Sequence, residues 1–411
     1  MDEKNTNLLN MEGIKIDLKV VKPDTRYDHD VFDEFGRKVL EARSPLTQSV
    51  IDACTASNLR YLYYSKSFEA SKNPAGLNLS KNAVSLETQE KVKESTRKVY
   101  DELLERISGA GEADISRNSV NRSRELIESV IDEVAQNDDA ILLTLKELKD
   151  NDEYTFIHST NVGVLASTLA VKLGYSRDKA IEMGIGGLFH DIGKAVVGYG
   201  IVHKKTPLNN DEIRKLMEHP NYGYKIAENN RNITRIQKQI ILLHHERPDG
   251  FGYPSGLDIQ NYTERIPKEV RLLSLCDVFS ALTTERAYKP AYTQKRALRI
   301  MQNSIYAPYK KNYQFIYEDF RDFIRGMGFM LNFGDFILDE EEMIRLSSGE
   351  LARVVELRKN NSMNPLIKLL TDQKLQPRKR EVIIDLEKDF TLYIANILDK
   401  ASFDNHLLAL Q

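Results

Sequence analysis

The sequence is poor in cysteine, in long apolar runs and in net charge, and each shortage excludes a class of protein. Cys54 and Cys276 are the only cysteines among 411 residues, so a disulfide framework and a cysteine-based zinc site are excluded. No apolar run approaches the roughly 20 residues that a membrane helix needs, and the N-terminal sequence MDEKNTNLLN is too polar for a signal peptide. The formal net charge of -3 gives no general attraction to nucleic-acid polymers or membranes. We therefore expect a cytoplasmic protein that neither inserts into membranes nor binds nucleic-acid polymers.

Length and composition indicate several packed domains. An apolar content of 41% suffices for packed cores, and a chain of this length favours roughly two to four domains. The predicted fold class is mainly α: an all-helical core with a small α+β N-terminal module, a linker, a helical linker region and a small β-rich C-terminal appendage. In chain order, the module, linker, helical linker region, core and appendage are 1–70, 71–86, 87–148, 149–335 and 336–411.

The two ends of the chain show patterns of secondary structure and no chemistry. Alternating apolar and polar residues, as in Ile14–Val20, are typical of half-buried strands. The predicted strands are 14–20, 59–64, 352–357, 366–370 and 382–386, and the predicted helices are 46–52 and 390–398.

Residues 87–148 are rich in Glu, Lys and Arg, with apolar residues such as Val92 and Val99 at near-heptad intervals. Two interpretations of this stripe stay open: packing within the chain and a dimerising coiled coil. If the protein forms a homodimer or binds a signalling partner, we expect the contact to lie within residues 1–148. We predict that this region tunes the core without supplying its chemistry, so that a fragment starting near Ile127 keeps that chemistry.

Seven potential metal ligands follow one another at helix-sized intervals in the core. Neutral imidazole and carboxylate suit iron, manganese and zinc, and an aspartate on an apolar helix face is costly unless it is paired or coordinated. Adjacent ligands on a helix diverge by about 100°, so His190 and Asp191 can address neighbouring ions. Two ions about 4 Å apart can clamp a phosphoryl group. The seven residues are His158, His190, Asp191, His219, His244, His245 and Asp277.

These residues lie in motifs that resemble the HD-GYP family. The motifs are GGLFHDIGK at 186–194, HHERPDGFGYPSGL at 244–257 and DVFSALT at 277–283, with His158-Ser159 before them and His219-Pro220 between the first two. The resemblance covers about 150–300 and is specific, because several motifs recur in the family's order. It implies a metal-dependent phosphodiesterase that hydrolyses the bacterial second messenger cyclic di-GMP.

The resemblance also implies roles for individual residues. The seven residues above would be the ligands of a dinuclear centre, with iron as its metal and manganese able to substitute, and Asp191 would bridge the ions. Lys194 and Arg286 would meet substrate phosphate, and Tyr253 would contact the substrate from the Gly-Tyr-Pro loop. Asp191 and Lys194 would be the catalytic residues. A metal-activated hydroxide would open cyclic di-GMP to linear pGpG, and a second cut would give GMP.

Three positions depart from the family pattern. Tyr154 stands where members with a third metal carry a glutamate, which favours two metals here. Ser280 stands where many relatives have an aspartate, one turn after Asp277. His203 has no family role, and we predict that it belongs to a lid or to the surface.

Three alternatives remain open from the sequence alone. The first is a cyclic dinucleotide receptor with little turnover, against which the complete ligand set argues. The second is an HD phosphohydrolase of nucleotides or alarmones, against which the Gly-Tyr-Pro loop and the histidine pair argue. The third is a scaffold in which the helical core serves as an adaptor between the flanking domains.

Overall fold

The computed structural model divides the chain into two compact units, Met1–Ser80 and Lys81–Gln411. The described residues are mainly helical, which confirms the predicted fold class. The structure describes residues 14–18, 21–27, 31–33, 38–40, 43–56, 61–64, 84–108, 114–136, 154–204, 206–284, 291–327, 337–357, 363–389 and 391–398.

The first unit is a small α+β structure. Its four-stranded antiparallel sheet has the order β1-β6-β3-β4, and β2 pairs with β5. Val31, Leu46 and Leu62 are fully buried in its core. The strands predicted near both ends of this unit and the helix between them are confirmed in type. The elements are β1 Ile14–Asp17, β2 Thr25–Arg26, β3 Val31–Asp33, β4 Lys38–Leu40, β5 Pro45–Leu46, α1 Gln48–Ala56 and β6 Tyr61–Tyr64.

The second unit begins with a long series of helices. None of the described helices is both long and apolar enough to cross a membrane. The helices are α2 Leu86–Ser108, α3 Arg117–Gln136, α4 Tyr154–Lys172, α5 Arg177–Phe189, α6 Lys194–Val197, α7 Tyr199–Val202, α8 Asn210–Met217, α9 His219–Ala227, α10 Arg235–Leu243, α11 Ile259–Arg265, α12 Lys268–Thr283, α13 Gln294–Gln302 and α14 Tyr317–Met327.

Helices α2 and α3 pack in the same core as the helices that follow them. Val92, Leu103 and Ile127 are buried in one contiguous cluster with apolar residues of α4 and α5. The apolar stripe on these helices is thus buried within the chain, in agreement with the interpretation that it packs within the chain. Residues 137–148, the last part of the predicted helical linker region, lie outside the described residues.

Helices α4 and α5 form the centre of the second unit and approach each other closely. They are joined by a short turn, so the start of α4 lies opposite the end of α5. A Cβ atom at Gly187 would come within 2.8 Å of the Gly163 backbone, so both glycines are needed at this contact. The close approach brings His158 on α4 towards His190, which directly follows α5.

The chain ends in a five-stranded antiparallel sheet of order β10-β9-β8-β7-β11. The turn between β7 and β8 places Gly349 at a φ of +100°, a conformation that favours glycine. The three strands predicted in this region are confirmed. The strands are β7 Met343–Leu346, β8 Leu351–Glu356, β9 Leu366–Thr371, β10 Pro377–Asp385 and β11 Ile394–Leu398.

The helix predicted at 390–398 is wrong, because Ile394–Leu398 forms strand β11. The strand pairs with β7 and also bonds to the helical region. The Ile397 amide donates to the Asn303 side chain at 2.7 Å, and the Ala395 carbonyl accepts from Lys310 at 2.7 Å. These long-range bonds and the two β-branched isoleucines override the local apolar periodicity.

Candidate metal centre

Five helices or their ends bring the seven predicted ligand residues to one place. His158 lies in the first half of α4, and His190 and Asp191 directly follow α5. His219 is the first residue of α9, His244 and His245 directly follow α10, and Asp277 lies inside α12. Their ligand atoms form three overlapping groups, each within 4.8 Å: Asp191, His219, His244 and His245; His158, His190 and Asp191; and His190, His244 and Asp277.

Asp191 lies between two sets of histidines. Its Oδ1 atom is 3.1 Å from His219 Nε2 and 3.8 Å from His244 Nε2. Its Oδ2 atom is 3.2 Å from His190 Nε2 and 4.0 Å from His158 Nε2. Since each oxygen faces a different pair of rings, one carboxylate can serve two neighbouring cations.

Backbone carbonyls orient three of the rings. The Nδ1 atoms of His190, His219 and His244 lie 2.7, 2.7 and 3.0 Å from the carbonyl oxygens of residues 187, 216 and 240. A carbonyl oxygen only accepts, so Nδ1 carries the proton and the Nε2 lone pair of each neutral ring points into the cluster.

Several acceptor atoms that face into the cluster have no hydrogen donor among the described residues. His219 Nε2 and His244 Nε2 are 3.3 Å apart, although in the neutral rings both atoms carry lone pairs. His190 Nε2 and Asp191 Oδ1 are buried and complete no hydrogen bond among the described residues. Buried acceptors normally find a partner, and imidazole with carboxylate is a donor set for first-row divalent metals. The residues therefore fit a metal centre.

Burial favours the neutral form of several histidines. Burial lowers the pKa of His158, and burial together with neighbouring histidines lowers the pKa of His244 well below its ordinary value. Burial lowers the pKa of His245 to about 3. Metal ligation needs deprotonated rings, so the fold already favours the form that binds metal.

The carboxylates are held in their charged form. Burial opposes the ionisation of Asp191, but the charges of His190 and Lys194 outweigh burial and hold the pKa of Asp191 well below its ordinary value. Asp277 likewise has a lowered pKa despite its burial, because His158 bonds to it at 2.9 Å. Burial would lower the pKa of His190, but the charge of Asp191 raises it. The centre thus concentrates negative charge in a buried space.

The three residues predicted to contact substrate have different placements. Lys194 opens α6, and its Nζ donates to Asp191 Oδ2 at 2.5 Å. The ring centroid of Tyr253 lies 4.6 Å from that of His245, and the Tyr253 amide donates to the His245 carbonyl at 3.1 Å. Arg286 lies outside the described residues. Lys194 and Tyr253 therefore border the cluster on two sides.

Two buried carboxylates that the sequence analysis missed hold the loop that carries Tyr253. Glu246 accepts from the amides of Ser255 and Leu257, at 2.5 and 3.2 Å. Asp249 accepts from the amides of Phe251 and Tyr313, at 3.0 and 2.9 Å. The sequence did contain a signal for these two acids, because both directly precede a glycine-rich loop whose backbone amides need hydrogen-bond acceptors outside any helix or strand.

The three departures from the family pattern also have different placements. Ser280 Oγ lies 3.0 Å from His158 Nδ1, so the serine can orient this ring. His203 stacks on Tyr199 with ring centroids 4.1 Å apart, outside the three ligand groups. Tyr154 opens α4, and its side chain is not among the described ones.

Comparisons with known proteins agree with this geometry. Residues 142–306 match the family model described as HD domain. Residues 343–406, which include all five strands of the C-terminal sheet, β7 to β11, match the family model described as KOW domain associated with HD domain.

Three relatives illustrate the similarity. A cyclic di-GMP phosphodiesterase of Pseudomonas aeruginosa is 31% identical over 262 residues, which cover 64% of this chain and 58% of that protein. The cyclic di-GMP phosphodiesterase response regulator RpfG of Xanthomonas campestris pv. campestris is 33% identical, over 37% of this chain and 39% of its own length. The 3'3'-cGAMP-specific phosphodiesterase 2 of Vibrio cholerae serotype O1 is 31% identical, over 34% of this chain and 27% of its own. The chain thus spans less than two thirds of each relative.

Proposed function

This chain belongs to the HD-GYP family through the HD domain at residues 142–306, and from that premise we propose that it hydrolyses cyclic di-GMP. The observation that supports this most directly is the position of Asp191, whose two oxygens face two different sets of histidines. That arrangement suits a dinuclear centre that clamps a phosphoryl group. Two of the three relatives above are named for cyclic di-GMP.

Asp191 is proposed to bridge two metal ions. His219, His244 and His245 would complete one set of ligands, and His158, His190 and Asp277, which lies beside both of these rings, would complete the other. When bound, the ions would lower the pKa of a coordinated water and stabilise charge that develops on the phosphoryl group. We propose iron as the native metal, with manganese able to substitute.

The remaining residues act on the substrate in this proposal. Lys194 offers its ammonium group to a phosphate oxygen, and the bond to Asp191 holds that group beside the centre. Tyr253 contacts the substrate from the loop fixed by Glu246, and Arg286 meets a second phosphate oxygen. Water attacks phosphorus, the bond from phosphorus to the ribose 3′-oxygen breaks, and a proton from the water ends on that oxygen, which gives linear pGpG; a second hydrolysis gives two GMP. The cytoplasmic location stays a prediction.

Metal content tests the dinuclear centre. Protein purified without oxygen and loaded with ferrous or manganous ion is expected to hold two ions per chain, because seven ligands, one of them a carboxylate that can bridge, suit two sites. Elemental analysis against protein concentration measures the ratio. A ratio near three, or no bound metal, would contradict the proposal.

Lys194→Ala is expected to keep both metals while lowering kcat about 10²-fold, the usual effect of removing one group that stabilises developing charge. The exposed Lys225 on α9 provides the matched control, since Lys225→Ala removes an equal charge from the surface. Steady-state rates and metal content would be measured on both variants. An unchanged kcat in Lys194→Ala would remove this residue from the mechanism.

The substrate is tested by chromatography of the products. The metal-loaded protein is expected to convert cyclic di-GMP to pGpG or GMP faster than it converts 3'3'-cGAMP, the substrate in the name of one relative. Faster conversion of 3'3'-cGAMP would overturn the substrate assignment. Binding of cyclic di-GMP without turnover, by protein with its full metal content, would instead support a receptor.

A further inference from the structure

Tyr100 reaches the candidate metal centre from α2, a helix that lies before the matched HD domain. Its side chain is 4% exposed. Its ring meets Phe156 edge to face, with centroids 5.5 Å apart. Phe156 lies on α4, two residues before His158. Helix α2 also packs against α6, which begins with Lys194. This helix therefore touches two elements that carry residues of the centre.

The Tyr100 hydroxyl is a buried donor beside this centre. It faces the hydroxyl of Ser159, the residue after His158. Neither hydroxyl completes a hydrogen bond of normal geometry among the described residues. Burial, and then the nearby Asp191 carboxylate, raise the pKa of Tyr100 well above its ordinary value. The phenol therefore stays protonated and can donate.

Two neighbouring buried hydroxyls that complete no hydrogen bond of normal geometry among the described residues are unusual in a packed core. The ring of Tyr100 packs against Phe156, and its hydroxyl is buried away from solvent. The carboxylate whose charge acts on the phenol is that of Asp191, and its Oδ1 atom also completes no hydrogen bond among the described residues. In many metal sites, groups that do not touch the metal donate or accept hydrogen bonds to its ligands and so orient them. The Tyr100 hydroxyl lies where such a group would lie.

We propose that Tyr100 is a positioning residue of the metal centre, whose hydroxyl donates a hydrogen bond to an oxygen ligand of the metals on the Asp191 side. Helix α2 then completes the site rather than only covering it. The inference rests on the metal centre of the proposed function and does not depend on its substrate.

Tyr100→Phe tests the proposal in the full chain, because it removes the hydroxyl and keeps the ring on Phe156. We expect the affinity for manganous ion to fall about tenfold, the scale of one hydrogen bond to a charged group. A competing chelator measures that affinity. The value of kcat for cyclic di-GMP should fall with it, while KM stays nearly constant.

The unfolding temperature of the metal-free protein separates this role from a merely structural one. If Tyr100 acts on the metals, removing its hydroxyl should leave that temperature unchanged or raised, because the hydroxyl has no partner when the metals are absent. A merely structural role predicts a lower unfolding temperature. Tyr262→Phe, at a residue that is also buried (2% exposed), is the matched control and should change neither metal affinity nor kcat. Wild-type metal affinity in Tyr100→Phe would overturn the inference, and so would a loss of affinity that only follows a lower unfolding temperature. Weaker metal binding in a protein that fails to cleave cyclic di-GMP would uphold the inference and reject the proposed substrate.

Discussion

Asp191→Asn is expected to abolish the hydrolysis of cyclic di-GMP, with kcat more than about 10³-fold below that of the unchanged protein. Asparagine keeps the volume of the side chain and loses its charge and one of its two acceptor oxygens. Each oxygen of Asp191 faces its own pair of histidines. The variant therefore removes the group that can join two ions.

Metal content separates this explanation from a folding defect. The Asp191→Asn protein should hold fewer than two ions per chain, while circular dichroism of the metal-free protein shows the helical content unchanged. Asp178→Asn, an exposed change on the preceding helix α5, is the control and should keep both properties. Wild-type turnover in Asp191→Asn would show that the bridge proposed here is not needed for the reaction.

The ligand set was accessible from the sequence because its chemistry conflicts with its surroundings. His158 and Asp277 occupy apolar helix faces, where a polar group needs a specific partner. The structure brings them together with the other five residues. Helical periodicity also predicts the type of most elements correctly, since apolar spacing reports directly which face of a helix is buried.

Apart from Glu246, which holds a loop close to it in sequence, the features that the sequence analysis missed depend on contacts between distant residues. Strand β11 exists because β7 and Asn303 supply its hydrogen-bond partners. Asp249 holds its loop through the amide of Tyr313, which lies far along the chain. The stripe on α2 fits either a partner helix or the chain's own core, and only the packing around it decides. Local periodicity carries none of this information.

A fragment that starts near Ile127 is expected to lose both its fold and its metal, contrary to the sequence prediction. That start removes α2 and cuts α3 near its middle. Val92, Val99 and Leu103 are at most 2% exposed in the shared core, and each fully buried aliphatic side chain contributes about 1.5–3 kcal/mol. Their loss, with that of Tyr100, approaches the roughly 5–15 kcal/mol that stabilises a whole domain.

A fragment that starts at Lys81 is the matched control, because it begins at the boundary of the second unit and keeps α2 and α3 complete. We expect it to retain two metals and a cooperative thermal transition, since its core is intact. The shorter fragment should aggregate or unfold without cooperativity, because the faces of α4 and α6 that α2 covers become exposed. Equal metal content and equal unfolding temperatures in the two fragments would show that α2 contributes no stability. That result would also contradict the position assigned to Tyr100, since a metal centre that assembles without α2 does not need its hydroxyl.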